Sequence, residues 1–134
     1  MTEYLNDESR NALIEYRLQR AFETLEEADY NSKGGYYNTA VNRLYYSAFY
    51  AANALLLSKG ISCETHKGVK SMISLHFVRN GILDIEDAKS LNQLFQNRQS
   101  GDYEDFTYCD LELYNILRPK AESFIIKIRD ILTH

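Results

Sequence analysis

The segment from Tyr36 to Lys59 constrains the fold most. Two apolar stripes run along it side by side. Ala40, Leu44, Ala48, Ala51 and Leu55 form one, and Val41, Tyr45, Phe49, Ala52 and Leu56 form the other. Both advance by the three- and four-residue steps that place side chains on one side of an α-helix, not by the two-residue alternation of a strand. An apolar surface this wide has to be covered on most sides, so the segment reads as a central helix with the rest of the chain packed around it. Alanines at positions 48, 51, 52 and 54 permit close approach of the neighbouring helices.

The rest of the 134 residues supplies segments that fit that role. A first helix is expected from about Asp7 to Ser32, with Ile14, Leu18, Ala21, Leu25 and Ala28 on its apolar stripe and Lys33-Gly34-Gly35 as its stop. The central helix ends at Gly60. A third runs from about Thr65, a plausible N-cap, to Arg79, with Val69, Met72, Ile73 and Phe77 facing inward and Asn80-Gly81 after it. A fourth runs from about Asp84, a second N-cap, to Gln99, turning in Ala88, Leu91, Leu94 and Phe95; Ser100-Gly101-Asp102 is expected to break it. After an aromatic stretch (Tyr103, Phe106, Tyr108), Asp110 caps a last helix to about Leu132, with Leu113, Leu117, Ala121, Phe124, Ile125 and Ile128 inside. Pro119 should kink that helix or split off its first turns. There is no strand alternation, internal repeat or low-complexity linker. The expected fold is all-α, an up-and-down bundle of four to five helices, with residues 1–134 as a single domain.

Charge and composition remove several classes of function. Nineteen acidic residues against fifteen basic ones give a net charge of -4, which counts against a broad nucleic-acid footprint and leaves room for a local one. The charge is uneven. His66 to Arg79 holds Lys67, Lys70 and Arg79 and no acid, whereas Arg98 to Glu112 holds one base and five acids (Asp102, Glu104, Asp105, Asp110, Glu112). The longest apolar run, Ala48 to Leu57, is broken by Asn53 and falls well short of the roughly 20 residues of a membrane span. The first residues lack the basic-then-apolar pattern of a secretory signal, so a cytoplasmic protein without membrane contact is expected. Cys63 and Cys109, with no CxxC spacing, read as free thiols.

Few residues could carry chemistry. No glycine-rich phosphate loop or nucleophile elbow occurs. His66 and His76 are too far apart along one helix to form a metal pair, and His134 is terminal, so neither metal nor cofactor is expected. His66, just after a helix cap, suits a helix start better than catalysis. Arg43 lies beside Tyr46 and Ser47 on the helix that otherwise reads as buried. A buried arginine needs a carboxylate, phosphate or carbonyl partner. Two readings stay open: a core ion pair with an Asp or Glu, or an anion or nucleotide contact with Arg43, Tyr46, His66 and Lys67 as binding residues.

The motif series Asn42-Arg43-x-Tyr45-Tyr46-x-Ala48-Phe49-x-Ala51-Ala52, Leu55-Leu56, Thr65-His66-Lys67-Gly68, Phe77-x-x-x-Gly81 and Arg98-x-x-x-Asp102-Tyr103 resembles the HEPN domain family. It is closest to the small stand-alone branch with an Arg-x-x-x-Asp-Tyr signature. The resemblance implies an all-α bundle that dimerises and works with a minimal nucleotidyltransferase as a toxin–antitoxin or defence pair. Many relatives are metal-independent ribonucleases, with an Arg followed after four to six residues by a His. In that chemistry the His takes the ribose 2′-OH proton and the Arg holds the phosphate. This chain keeps Arg98 but has Tyr103 five residues on, and no His through Tyr108. A phenol that titrates near pH 10 is a poor base at neutral pH.

The resemblance therefore implies a homodimeric component that binds nucleotide or RNA, has a nucleotidyltransferase partner, and cleaves RNA feebly or not at all. The alternative is a ribonuclease toxin using Arg98 with Tyr103 or His66, although nothing in the sequence places His66 near Arg98. Arg98 could equally pair with Asp102 or Asp105 while Tyr103 packs into the bundle. By the same resemblance, Tyr103 or Tyr108 could be the tyrosine a partner enzyme modifies. The surplus of Tyr36, Tyr37, Tyr45, Tyr46 and Tyr50 around the central helix points to dimerisation through that helix or the loop after Arg98.

Overall fold

The computed structural model describes residues 6–103 and 109–133, with the backbone alone for residues 99–103. All regular structure among these residues is helical: α1 (Asp7–Lys33), α2 (Tyr37–Leu57), α3 (His66–Ile73), α4 (Ile85–Tyr103) and α5 (Leu111–Leu132). A π-helical turn, Ser74–Val78, prolongs α3. None of these helices is long and apolar enough to cross a membrane.

α2 is the centre of the bundle and packs against α1, α3, α4 and α5. Both of its apolar stripes are buried except for half-exposed Phe49. α1 and α2 make an antiparallel hairpin. Its turn needs Gly35, whose φ of 82° lies in the left-handed region that side chains disfavour. Beyond its exposed first turn, the remaining surface of α2 is one partly exposed strip, Asn42, Arg43, Tyr46, Phe49, Tyr50 and Asn53. Tyr45, expected among the surplus tyrosines, is instead core.

Side chains set most helix starts. Asn6, Thr65 and Asp110 each accept the amide N–H three residues on, at 2.7, 2.9 and 2.9 Å. α4 starts differently from expectation: the Asp87 carboxylate accepts the Asp84 N–H at 2.8 Å, while the Asp84 carboxylate is held by Lys127. That is the backward half of a capping box: it satisfies the Asp84 N–H, while the Asp87 N–H goes to the Asp84 carbonyl at 3.0 Å.

The break expected in α4 fails, and of the two outcomes expected at Pro119 the split does not occur. α4 runs through residues 100–102 to Tyr103 instead of breaking at Ser100. Serine, glycine and aspartate are weak helix formers, but each costs at most about 1 kcal/mol, and an established ladder carries through them. α5 is one element from Leu111 to Leu132 with Pro119 inside, so its first turns do not split off. Proline removes one hydrogen bond, and burial of Tyr114 and Leu117 before it and Ala121 after it keeps both halves on the core.

Polar contacts fasten the outer helices. Asp29 of α1 accepts the Tyr114 hydroxyl and a two-pronged contact from Arg118, at 3.2 and 3.0 Å; Arg118 also meets Glu122 at 2.8 Å. Lys127 of α5 holds Asp87 at 2.7 Å. Cys63 and Cys109 are not joined in a disulfide.

Ser47 and Ala48 are both fully buried on α2 and should respond oppositely to substitution. Ala48→Leu adds volume where helices touch and should cost about 1–3 kcal/mol. Among the described residues the Ser47 hydroxyl has no hydrogen-bond partner, so Ser47→Ala removes an unsatisfied polar group and should leave the melting temperature unchanged or raised. Thermal melts of the two variants test the packing of this face.

Candidate functional site

One cluster joins three helices. α2 presents Tyr45, Tyr46 and Phe49 over one turn. The Thr65 cap starts α3 so that His66 is its first residue. α4 brings in Phe95 and Arg98, one turn apart. Gly68 lets this corner close, because a Cβ there would lie 2.8 Å from Thr65 Oγ1, the atom that caps the helix. The start of α3 is held against α2 by the rings themselves: the His66 imidazole lies 4.7 Å from the Phe49 ring centre, 5.2 Å from Tyr45, 5.5 Å from Phe95 and 5.9 Å from Tyr46.

The Arg98 guanidinium rests on the same rings, 5.4 Å from Phe95, 5.6 Å from Tyr45 and 6.0 Å from Tyr46. Such cation–ring contacts contribute about 0.5–2 kcal/mol each, depending on how dry they are. His66 and Arg98, 32 positions apart in sequence, therefore share one aromatic floor. The Tyr45 hydroxyl and His66 Nδ1 are hydrogen-bonded at 2.5 Å.

The electrostatics follow from this packing. Burial, and then the nearby positive charge of Arg98, hold the His66 imidazole below its ordinary range, so the ring is neutral at neutral pH. Burial pushes the Tyr45 phenol well above the ordinary tyrosine range, and the opposing pull of Arg98 does not cancel that. The cluster thus offers a fixed cation, a neutral imidazole and a protonated phenol. With the phenol engaged by His66, the guanidinium and the imidazole can hold an anionic oxygen beside an aromatic face.

The other expected residues divide. Arg43 takes the ion-pair alternative: it lies 3.6 Å from Glu27, donates to Asn42 at 3.2 Å and stacks on Tyr46 at 5.0 Å. Its side chain is only half-buried, and Glu27 also pairs with Arg20 at 3.2 Å, so part of its charge is already balanced. Tyr46 sits between Arg43 and Arg98 and belongs to the cluster. Lys67 is exposed beside His66. Tyr103 ends α4, but its side chain, those of Asp102 and Asp105, and all of Tyr108 lie outside the described residues. The expected roles of Tyr103 and Tyr108, and an Arg98 pair with Asp102 or Asp105, lie outside them too. No group of three metal-ligating side chains occurs among the described residues.

From sequence, Phe49 and Phe95 read as core, and Tyr45 both as part of an apolar stripe and as one of the surplus tyrosines. For Tyr45 the available signal was its hydroxyl, since a phenol in a fully apolar stripe needs a buried partner.

The comparisons with known proteins agree with this architecture. The chain is 36% identical over 123 residues to a UPF0332 protein of Thermotoga maritima, covering 92% of this chain and 93% of that one. It is 34% identical over 121 residues to a protein of Methanocaldococcus jannaschii named as a candidate toxin, covering 89% and 81%. A second protein of that organism with the same kind of name is 30% identical over 132 residues, covering 98% and 97%. The HEPN domain model matches residues 14–132, from within α1 to the end of α5, and the chain belongs to the HEPN domain family.

Proposed function

We propose that this chain is the homodimeric, phosphate-binding component of a toxin-type HEPN pair, acting in the cytoplasm with a minimal nucleotidyltransferase partner, with residues 1–134 as its one domain. The observation that carries the reading is the convergence of Arg98 from α4 and His66 from α3 on one aromatic floor. Arginine's planar fork suits a phosphate, and flat rings beside it suit a base. The relatives named as toxins support a toxin-type system. The partly exposed strip of α2 supports a dimer in which two such clefts lie close together, because Arg43, Tyr46 and Phe49 of that strip adjoin the cluster.

A second reading, a metal-independent ribonuclease, draws on the same placement. His66 stands near Arg98 as a neutral imidazole, the state a general base needs. Purified protein should bind short single-stranded RNA at low salt and cleave it feebly or not at all in chelator. Arg98→Ala should weaken binding by roughly tenfold or more, the worth of a charge-assisted hydrogen bond. Cleavage that disappears in Arg98→Ala would establish the ribonuclease instead, and light scattering showing a monomer at micromolar concentration would remove the dimer.

The neutral imidazole also sets a pH dependence. Because the folded state holds His66 below its unfolded value of about 6.5, the unfolded chain binds the proton more readily. The contribution is fully present above about pH 6.5 and is lost as pH falls through the lower folded value. The groups facing the ring oppose its protonation or leave it unaided: Arg98 on α4, and Tyr45 and Tyr46 on α2. Between pH 7 and 5 the melting temperature should fall more in wild type than in His66→Gln. His76 and His134 remain in both proteins and cancel in the comparison.

A further inference from the structure

The bond between Tyr45 and His66 decides which nitrogen of the imidazole carries the proton. Tyr45 is 1% exposed, so water cannot serve its hydroxyl. Among the described residues its one hydrogen-bond partner is His66 Nδ1. A neutral imidazole donates from one nitrogen and accepts at the other. If Nδ1 bore the proton, it would donate to the phenol oxygen, and the Tyr45 O–H would be left buried without an acceptor. If Nε2 bears it, Nδ1 accepts from Tyr45 and both groups are satisfied. The penalty for one orphaned buried hydroxyl favours the second arrangement by roughly five- to hundredfold in population. The doubly protonated ring repeats the same fault, because both nitrogens then donate, and it adds a positive charge beside Arg98.

We propose that Tyr45 is a positioning residue that fixes His66 as the Nε2–H tautomer, making Arg98 and His66 a two-donor seat for an anionic phosphate-ester oxygen and not an acid–base pair. This rests on the reading of the cleft as a phosphate site and narrows it. The imidazole lone pair is taken up by Tyr45 inside the bundle. Nε2, across the ring from that bond, offers a proton and cannot receive one from a ribose 2′-OH. The ring that looked like a substitute base is thereby a hydrogen-bond donor. Its ligand is a phosphate ester, either the terminal phosphate of a mononucleotide or the diester of an RNA backbone.

The test reads the tautomer directly. Long-range proton–nitrogen correlation spectra of histidine-labelled wild type at pH 7.5, with His66 assigned by its loss in His66→Gln, should show protonated Nε2 and unprotonated Nδ1 (the pH is chosen at about one unit above the free imidazole value). A protonated Nδ1 in wild type overturns the proposal without reference to any variant. Tyr45→Phe keeps the ring and removes the hydroxyl, and should give a mixture of tautomers. A merely structural Tyr45 would change the melting temperature and leave the tautomer untouched, which overturns its positioning role. The same spectra are then followed during titration with inorganic phosphate, a nucleoside 5′-monophosphate and a short RNA lacking terminal phosphates. Shifts at Nε2 with the first two alone identify a terminal phosphate as the ligand; shifts with the RNA identify the diester. Binding of whichever probe acts should weaken by roughly three- to tenfold in Tyr45→Phe, the worth of one ordinary hydrogen bond held in place. A fixed Nε2–H tautomer with no response to any of the three overturns the phosphate seat and leaves the tautomer lock standing, so the two failures are distinguishable.

Discussion

Covering α2 on most sides is the requirement from which the rest of the bundle follows. Leu44, Leu55 and Leu56 are fully buried, and each such side chain stabilises the fold by about 1.5–3 kcal/mol against the entropy of ordering the chain. α1 folds back along one side, α4 and α5 close others, and the alanines of α2 keep those contacts tight. A polar atom on the inner faces of such a helix has few choices. The Tyr45 hydroxyl must find its partner in whatever element covers that face, and the first residue of α3 supplies it. The geometry of the candidate site is therefore a consequence of core packing.

α3 could not provide this alone. A helix of eight residues is marginal in water, since its nucleus costs more than so few hydrogen bonds return. It is held by its cap at Thr65, by burial of Val69 and Ile73, and by the π-helical turn that carries Phe77 into the core. Lys70 adds a bond to Asn92 of α4 at 2.6 Å and lies against Phe95. The element that carries His66 is thus tied to the element that carries Arg98 one turn further on. The packing of the two helices therefore sets the distance between the two polar groups.

How much of this was legible depends on the range of the interaction. The five helices and their inner faces could be read because period and burial agree: Leu44, Leu91 and Phe124 each sit where their stripe puts them. Ends were less legible. Nothing local says that the start of α4 is satisfied from Asp87, or that the helix persists through Gly101, because both depend on the competition between a weak propensity and an existing ladder. Arg98 was legible from its motif, and the sequence left two readings open for Arg43, an ion pair or an anion contact; Glu27, the acid 3.6 Å from it, was not named by any spacing. The meeting of His66 with Arg98 was not legible. It is made by the packing of two helices, each on α2, and no spacing encodes that. Tyr45 was misjudged for a simpler reason: its ring fits an apolar stripe, and only its hydroxyl asks for more.

The distribution of charge narrows what kind of recognition such a cleft can perform. Glu27 lies against both Arg20 and Arg43, and the chain as a whole carries a net charge of -4. Much of the positive charge beside Tyr46 and Tyr50 is thereby spent within the molecule. A protein that tracks a nucleic-acid backbone needs a run of lysines and arginines, each neutralising one phosphate. Here the cations around the imidazole are few: Arg98 on its aromatic floor, Lys70 against Phe95, and exposed Lys67, which follows His66 in sequence. On the proposed reading, that arrangement suits one or two phosphates gripped at short range by a fork, an imidazole N–H and flat rings. On the same proposal, affinity from one such cleft would be modest and only weakly dependent on salt. The proposed two-fold dimer would raise it in the way linked sites do, by bringing a second cleft within reach of the same ligand, with no extra charge on either subunit.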